Sequence, residues 1–176
     1  MAATGVQLQV LLTAELAIPS GYVFRPPGSR LAQLRAGFAG RAERVRSPCL
    51  AFVVRHPSAG VILIDTGFHP DAKDNLHRDF GLTMSLAFRG LESADQPYDV
   101  QLRSLEIDPQ QVQRVVMTHL HVDHTSGMRL LPQARFLCNR PEWEAAHKRL
   151  AAANGFTRDH LPPAGRMELL DYDDQG

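Results

Sequence analysis

Apolar and polar residues alternate at first over Val6–Leu12, which predicts a strand over residues 6–12. Cys49-Leu-Ala-Phe-Val-Val-Arg55 and Val61-Ile-Leu-Ile64 read as two more strands. The turn-rich His56-Pro57-Ser58-Ala59-Gly60 between them makes the pair a hairpin. The second of the pair stops at Asp65-Thr66-Gly67, an acid at a strand end followed by a glycine that permits a sharp turn. Residues 114–118 and 134–138 predict buried strands, and Met167–Leu170 a last strand-like piece. Helical patterns fall between these. Leu76, Phe80, Met84 and Phe88 recur at helical spacing within 68–96, a segment read either as a helix or as a mobile flap. Residues 97–106 read as helix with Val100 and Leu105 on one side, followed by Asp108 as an N-cap before Pro109. The clearest helix is 140–153. Asn139 is its N-cap candidate, Pro141 suits the first turn, and Glu142 and Glu144 favour the positive end of the helix dipole. Trp143, Ala146, His147 and Leu150 share one face, and Asn154-Gly155 closes it. Strand and helix signals alternate, which predicts an α/β layered architecture.

The chain has 176 residues, enough for one domain over 1–176 and too few for two. Its 44% hydrophobic content supplies a core. Lys+Arg 19 against Asp+Glu 19 gives zero formal charge, so no whole-chain basic field points to nucleic acid or to an anionic membrane. No apolar run reaches the roughly 18 residues of a membrane-spanning helix. The apolar stretch Val6–Ile18 has no basic flank and contains Glu15, unlike a secretory signal, so a cytoplasmic location is expected. Residues 19–48, rich in Pro, Gly and Arg, read as a surface excursion whose arginines (Arg35, Arg41, Arg44, Arg46) form a solvated face, or else an anion patch. Cys49 and Cys138 read as two buried thiols rather than a disulfide framework.

What changes the picture is Thr118-His-Leu-His-Val-Asp-His-Thr-Ser-Gly127. Three imidazoles and a carboxylate occupy six positions after an apolar strand. On a regular strand His119, His121 and Asp123 would point one way and His124 the other. A turn eased by Ser126-Gly127 brings all four around one cavity. Imidazole and carboxylate are ligands for Zn²⁺ and related divalent ions, and burying four such groups without partners would be costly. A purely structural zinc site competes weakly, since those favour cysteine and neither thiol is near in sequence. His147 reads as packing or surface, and His56, His69, His77 and His160 as loop or turn residues, with His69 placed to line a pocket. Phe68, Met84 and Phe88 read as core, or else as an acyl-binding wall.

His119-x-His121-x-Asp123-His124 after an apolar strand, preceded by Ile64-Asp65-Thr66-Gly67 at the end of another, resembles the metallo-β-lactamase superfamily. Pro48-Cys49-Leu50 and the Arg140–His147 segment resemble its lactonase-type members, which include N-acyl-homoserine lactonases; a glyoxalase II-like or other metallohydrolase member of the superfamily is the alternative for this chain. The resemblance implies the N-terminal half of an αβ/βα sandwich, a mixed sheet with flanking helices. It implies two divalent ions, with Zn²⁺ the first choice. His119 and His121 would bind the first metal, Asp123 and His124 the second, and Asp65 would fix a ligand imidazole from behind. Asp123 would also steer protons as a catalytic group. The implied reaction is hydrolysis by a metal-bound hydroxide attacking a lactone, thioester or related small-molecule acyl carbon.

In the family, a third His, a bridging Asp and a last His from the second half complete the site, and no residue here matches them. The expectation is therefore a C-terminally truncated domain with an incomplete metal site. It would be a truncated product or fragment of a longer chain, one half of a pair with a second chain, or a non-catalytic half-domain that binds metal weakly.

Overall fold

The computed structural model describes residues 5–20, 44–87 and 91–171. Arg35, Arg41, Phe88 and the Met84 side chain lie outside the described residues, and so does the expected excursion over 21–43. The described strands are β1 (Gln7–Pro19), β2 (Arg44–His56), β3 (Gly60–Ile64), β4 (Leu91–Ser93), β5 (Arg114–Val116), β6 (Arg135–Asn139) and β7 (Met167–Leu170). The described helices are α1 (Leu76–Ala87), α2 (Tyr98–Ser104), α3 (Val122–Thr125) and α4 (Arg140–Ala146). No described helix is long and apolar enough to cross a membrane.

All these strands join one mixed sheet in the order β4-β1-β2-β3-β5-β6-β7. The pairs from β4 to β3 are antiparallel and those from β3 to β7 parallel. The hairpin expected around His56–Gly60 is present, with His56 paired to Gly60. The buried face of the sheet presents Leu11, Ala51, Val53, Leu63, Val115 and Phe136 to Tyr98 and Leu102 of α2 and to the Met128–Leu131 turn.

β1 is longer than the alternation indicated, because its pattern changes phase. The β1–β2 register shifts between Leu12 and Ala14, a bulge at Thr13. Before the bulge Leu11 is inside; after it Ala14 and Leu16 are. The apolar row Leu8, Val10 and Leu12 points to the other face and is 61%, 57% and 38% exposed. It sits beside half-buried Val54 and Phe52, which in turn pair with Ile62 and Ile64. An apolar band thus crosses three strands on a face that no described element covers fully.

Other expectations need correction. β2 begins at Arg44, so residues 44–48 belong to the sheet rather than to an excursion. Segment 68–96 resolves into a 3-10 turn at Pro70–Lys73, α1 broken at Gly81 (φ 68°), and β4. His77 lies within α1 and His56 ends β2, not in loops. In α2 the buried pair is Tyr98 and Leu102, an i, i+4 spacing, while Val100 is exposed. α4 stops at Ala146 instead of reaching 153, and Leu150 is 71% exposed. Arg158 donates to the carbonyls of His147 and Lys148, satisfying groups that a continuing helix would have used. Asn139 makes no side-chain cap bond; its backbone ends β6. Asp108 does cap its turn, accepting from Gln110 N at 3.0 Å. Cys49 and Cys138 are buried free thiols, pushed up to about 12 and about 11 chiefly by burial.

Candidate metal centre

The site forms where the parallel strands end. β5 stops at Val116 rather than 118: Met117 N still donates to the Leu137 carbonyl, but Asp65 captures Thr118. Thr118 donates to Asp65 twice, from N to Oδ1 at 2.8 Å and from Oγ1 to Oδ2 at 2.7 Å. The histidines therefore lie on a turn, not on a strand. His121 precedes α3 in extended conformation, and Asp123 and His124 fall within that single helical turn. The turn removes the alternation that would have pointed His124 away.

Backbone contact locks this turn to the Asp65-Thr66-Gly67 corner. Asp65 adopts φ 57°, an uncommon conformation for a residue with a side chain. Thr66 N donates to the His124 carbonyl at 3.0 Å, and Gly127 N to the Gly67 carbonyl at 3.0 Å. Any Cβ on Gly127 would lie 2.3 Å from the Thr66 carbonyl oxygen, so the approach requires glycine. Glu142 adds a contact that its place in α4 did not suggest: its Oε1 accepts from Leu120 N at 3.0 Å, pinning the loop between His119 and His121.

Ligand atoms of His119, Asp123 and His124 lie within 4.8 Å of one another. The His119 ring stands 3.9 Å from that of His124 and 4.7 Å from that of His121, centroid to centroid. His121 is thus adjacent to the three without sharing their closest grouping, and it leans on Phe156 at 4.8 Å. Asp65, 1% exposed, faces His124 Nδ1 at 2.8 Å. A carboxylate accepts, so Nδ1 donates to Asp65, and Nε2, 3.4 Å from Asp123 Oδ2, is the atom left to a metal once its proton is lost.

The electrostatics favour the ligating forms of His119 and Asp123, while an ion at His124 would have to displace a proton. Burial pushes His119 down, and the neighbouring His124 and His121 push the same way, so its imidazole favours the neutral, ligating form. Burial also opposes charge on Asp123 and His124, but their mutual hydrogen bond and attraction outweigh it. Asp123 is held below the usual carboxylate range, and His124, with Asp65 behind it, is raised to about 9. Two imidazoles and a carboxylate at this spacing fit Zn²⁺ or a related divalent ion, whose bonds to such groups run about 2.0–2.2 Å.

Of the remaining histidines, His147 is exposed and bonds the Trp143 carbonyl, as expected of a surface residue. His69 caps the Pro70–Lys73 turn and, with Phe68, Thr13 and Tyr98, lines a cavity of about 80 Å³ whose walls include no motif residue. Phe68 is core, packed on Phe80 at 5.5 Å. His160 lies in the Arg158–His160 turn, as expected, and is buried there against Asp79.

The profile of the metallo-beta-lactamase superfamily matches residues 44–174. The chain belongs to this superfamily. It is 32% identical over 137 residues to the N-acyl homoserine lactonase AttM of Agrobacterium fabrum, a match covering 78% of this chain and 48% of that relative. It superposes on an N-acyl homoserine lactone hydrolase with the product N-hexanoyl-L-homoserine at its catalytic metal center, at TM-score 0.65 and 17% identity, covering 99% of this chain and 63% of the other. AidC, a dizinc quorum-quenching lactonase in complex with a product, matches at TM-score 0.59 and 14% identity, covering 94% and 58%. The mixed sheet with flanking helices is therefore the metallo-beta-lactamase fold over about 60% of such lactonases. The chain spans about half the length of the curated relatives it matches.

Proposed function

We propose that this chain is the metal-binding half of a metallohydrolase that opens lactones or related acyl compounds. One observation carries the reading: His119, Asp123 and His124 converge within 4.8 Å while buried Asp65 orients the His124 ring from behind. In this reading His119 and His121 hold one ion, and Asp123 and His124 hold a second. Zinc is the first choice, in keeping with a donor set of imidazole and carboxylate and with a dizinc structural neighbour. A bound divalent ion supplies an acidic water near neutral pH and polarises a carbonyl. The chain's own residues supply orientation: Asp65 fixes the His124 tautomer, and Glu142 and Gly127 fix the backbone of the turn. Asp123, held ionised by His124, would steer protons beside the ion it binds. Ligands completing each ion come from a second half, carried by a longer form of the chain or by a partner. Acyl-homoserine lactones are the first substrates to try, given the lactonase relatives.

The test is metal stoichiometry together with lactone opening. Two equivalents of zinc and turnover abolished by His119→Ala support the reading; folded, metal-loaded protein that opens no member of a lactone and thioester panel restricts it to metal binding. A second reading, a non-catalytic half-domain that docks a partner chain, is favoured by the apolar band around Val10 and Phe52, which no described element covers fully. Sedimentation at several concentrations separates them: a stable monomer that binds no other chain removes the docking reading.

A further inference from the structure

Asp79 lies in the first turn of α1 and is fully buried. A carboxylate taken out of water persists only where charges and donors surround it. Ser126 Oγ donates to its Oδ1 at 2.8 Å, His160 Nε2 stands 2.7 Å from the same oxygen, and Arg129 approaches at 3.5 Å. The Thr157 hydroxyl donates to the Asp79 carbonyl.

Two of these partners reach the metal motif from opposite sides. Ser126 follows His124 by two positions and also accepts from His69 N at 3.1 Å, so it ties the turn after the ligands to α1. His160 Nδ1 meets Thr125 Oγ1 at 3.2 Å, and that hydroxyl lies 3.2 Å from the His121 carbonyl. His160 also ends the segment that supports His121 directly. Val122 N donates to the Gly155 carbonyl at 3.0 Å, and the His121 ring rests on Phe156. Nothing else described joins α1, the turn after His124 and the 155–160 segment at one atom.

We propose that Asp79 is a positioning residue of the metal site: through Ser126 it fixes the turn that follows His124, and through His160 the segment on which His121 rests. This rests on the metal reading above, and its test separates the two. Zn²⁺ and Co²⁺ are titrated into the full chain against a chromogenic chelator, with the visible spectrum of the Co²⁺ form recorded. The variants are Asp79→Asn, His160→Gln and Ser126→Ala. Outer-shell changes at metal sites cost about 10–100-fold in affinity, so Asp79→Asn and His160→Gln are expected to weaken binding about tenfold or more and to shift the Co²⁺ band. Ser126→Ala, which keeps the charged groups, shifts both in the same direction by less. Val53→Ala, a core truncation among residues remote from this network, is the stability control and keeps wild-type affinity. Wild-type chain that binds neither ion overturns the metal reading itself. Wild-type chain that binds, with folded Asp79→Asn at wild-type affinity and an unchanged spectrum, overturns only the positioning role. Should Asp79→Asn not fold, Ser126→Ala decides in its place.

Discussion

Asp65 shows how much one side chain settles. Its two oxygens end a strand, hold the Thr118 backbone and set the His124 ring, all within 2.8 Å. Asp65→Asn keeps the size but turns an N–H toward the His124 N–H or forces the other tautomer. It is expected to lower zinc affinity about 10–100-fold, read by chelator competition, with the fold retained. Asp79 yields a pH prediction. Burial raises its carboxyl, but His160, Ser126 and Arg129 outweigh this, so the folded value lies below the ordinary one. A depressed acid contributes stability above its unfolded value of about 3.9, lost as pH falls through the folded value. Melting temperatures should therefore fall more steeply for wild type than for Asp79→Asn as pH drops from about 5 toward 2. Asp65 and the histidine motif were legible because each sits at a predicted strand end with chemistry in its immediate neighbours. Asp79 and His160 were not: their meeting joins residues 81 apart through three segments, and nothing local marks either.

At the scale of elements, local pattern failed where the backbone changed phase or a distant side chain intervened. The Thr13 bulge reverses the inward parity of β1, so a strict period-2 reading stops at Leu12 while the strand runs on to Pro19. α4 ends early, and Arg158, outside it, takes the His147 and Lys148 carbonyls just past its end. The hairpin, the Asp108 cap and Met167–Leu170 were readable because turn chemistry and short apolar runs act within a few residues. The close approach of two corners gives a sharp test. Gly127→Ala drives a Cβ onto the Thr66 carbonyl and is expected to cost about 1–3 kcal/mol or more in urea unfolding, with metal affinity falling as the turn shifts. Gly165→Ala meets open space and is expected to stay within about 0.5 kcal/mol of wild type.

At the scale of the whole molecule, described helices pack on one face of the sheet, and the other keeps an apolar band that no described element covers fully. Leu8 and Val10 are more than half exposed, and half-buried Phe52 and Val54 lie opposite them. Such a surface binds apolar dye or another apolar surface. Val10→Lys is expected to reduce dye fluorescence and any self-association, with melting temperature within a few degrees of wild type, since an exposed side chain contributes little to the fold; a large drop in melting temperature would show that the band is covered within the chain. The sequence by itself determined the family, the α/β alternation and the candidate ligands, because ligand chemistry, strand ends and turns are written in neighbouring residues. Tertiary structure decided which face of β1 is buried, how His124 joins His119 and Asp123, and which acid anchors the turn behind them. Those outcomes depend on pairings tens of residues apart, where hydrogen bonds to buried carboxylates and backbone-to-backbone packing override local period.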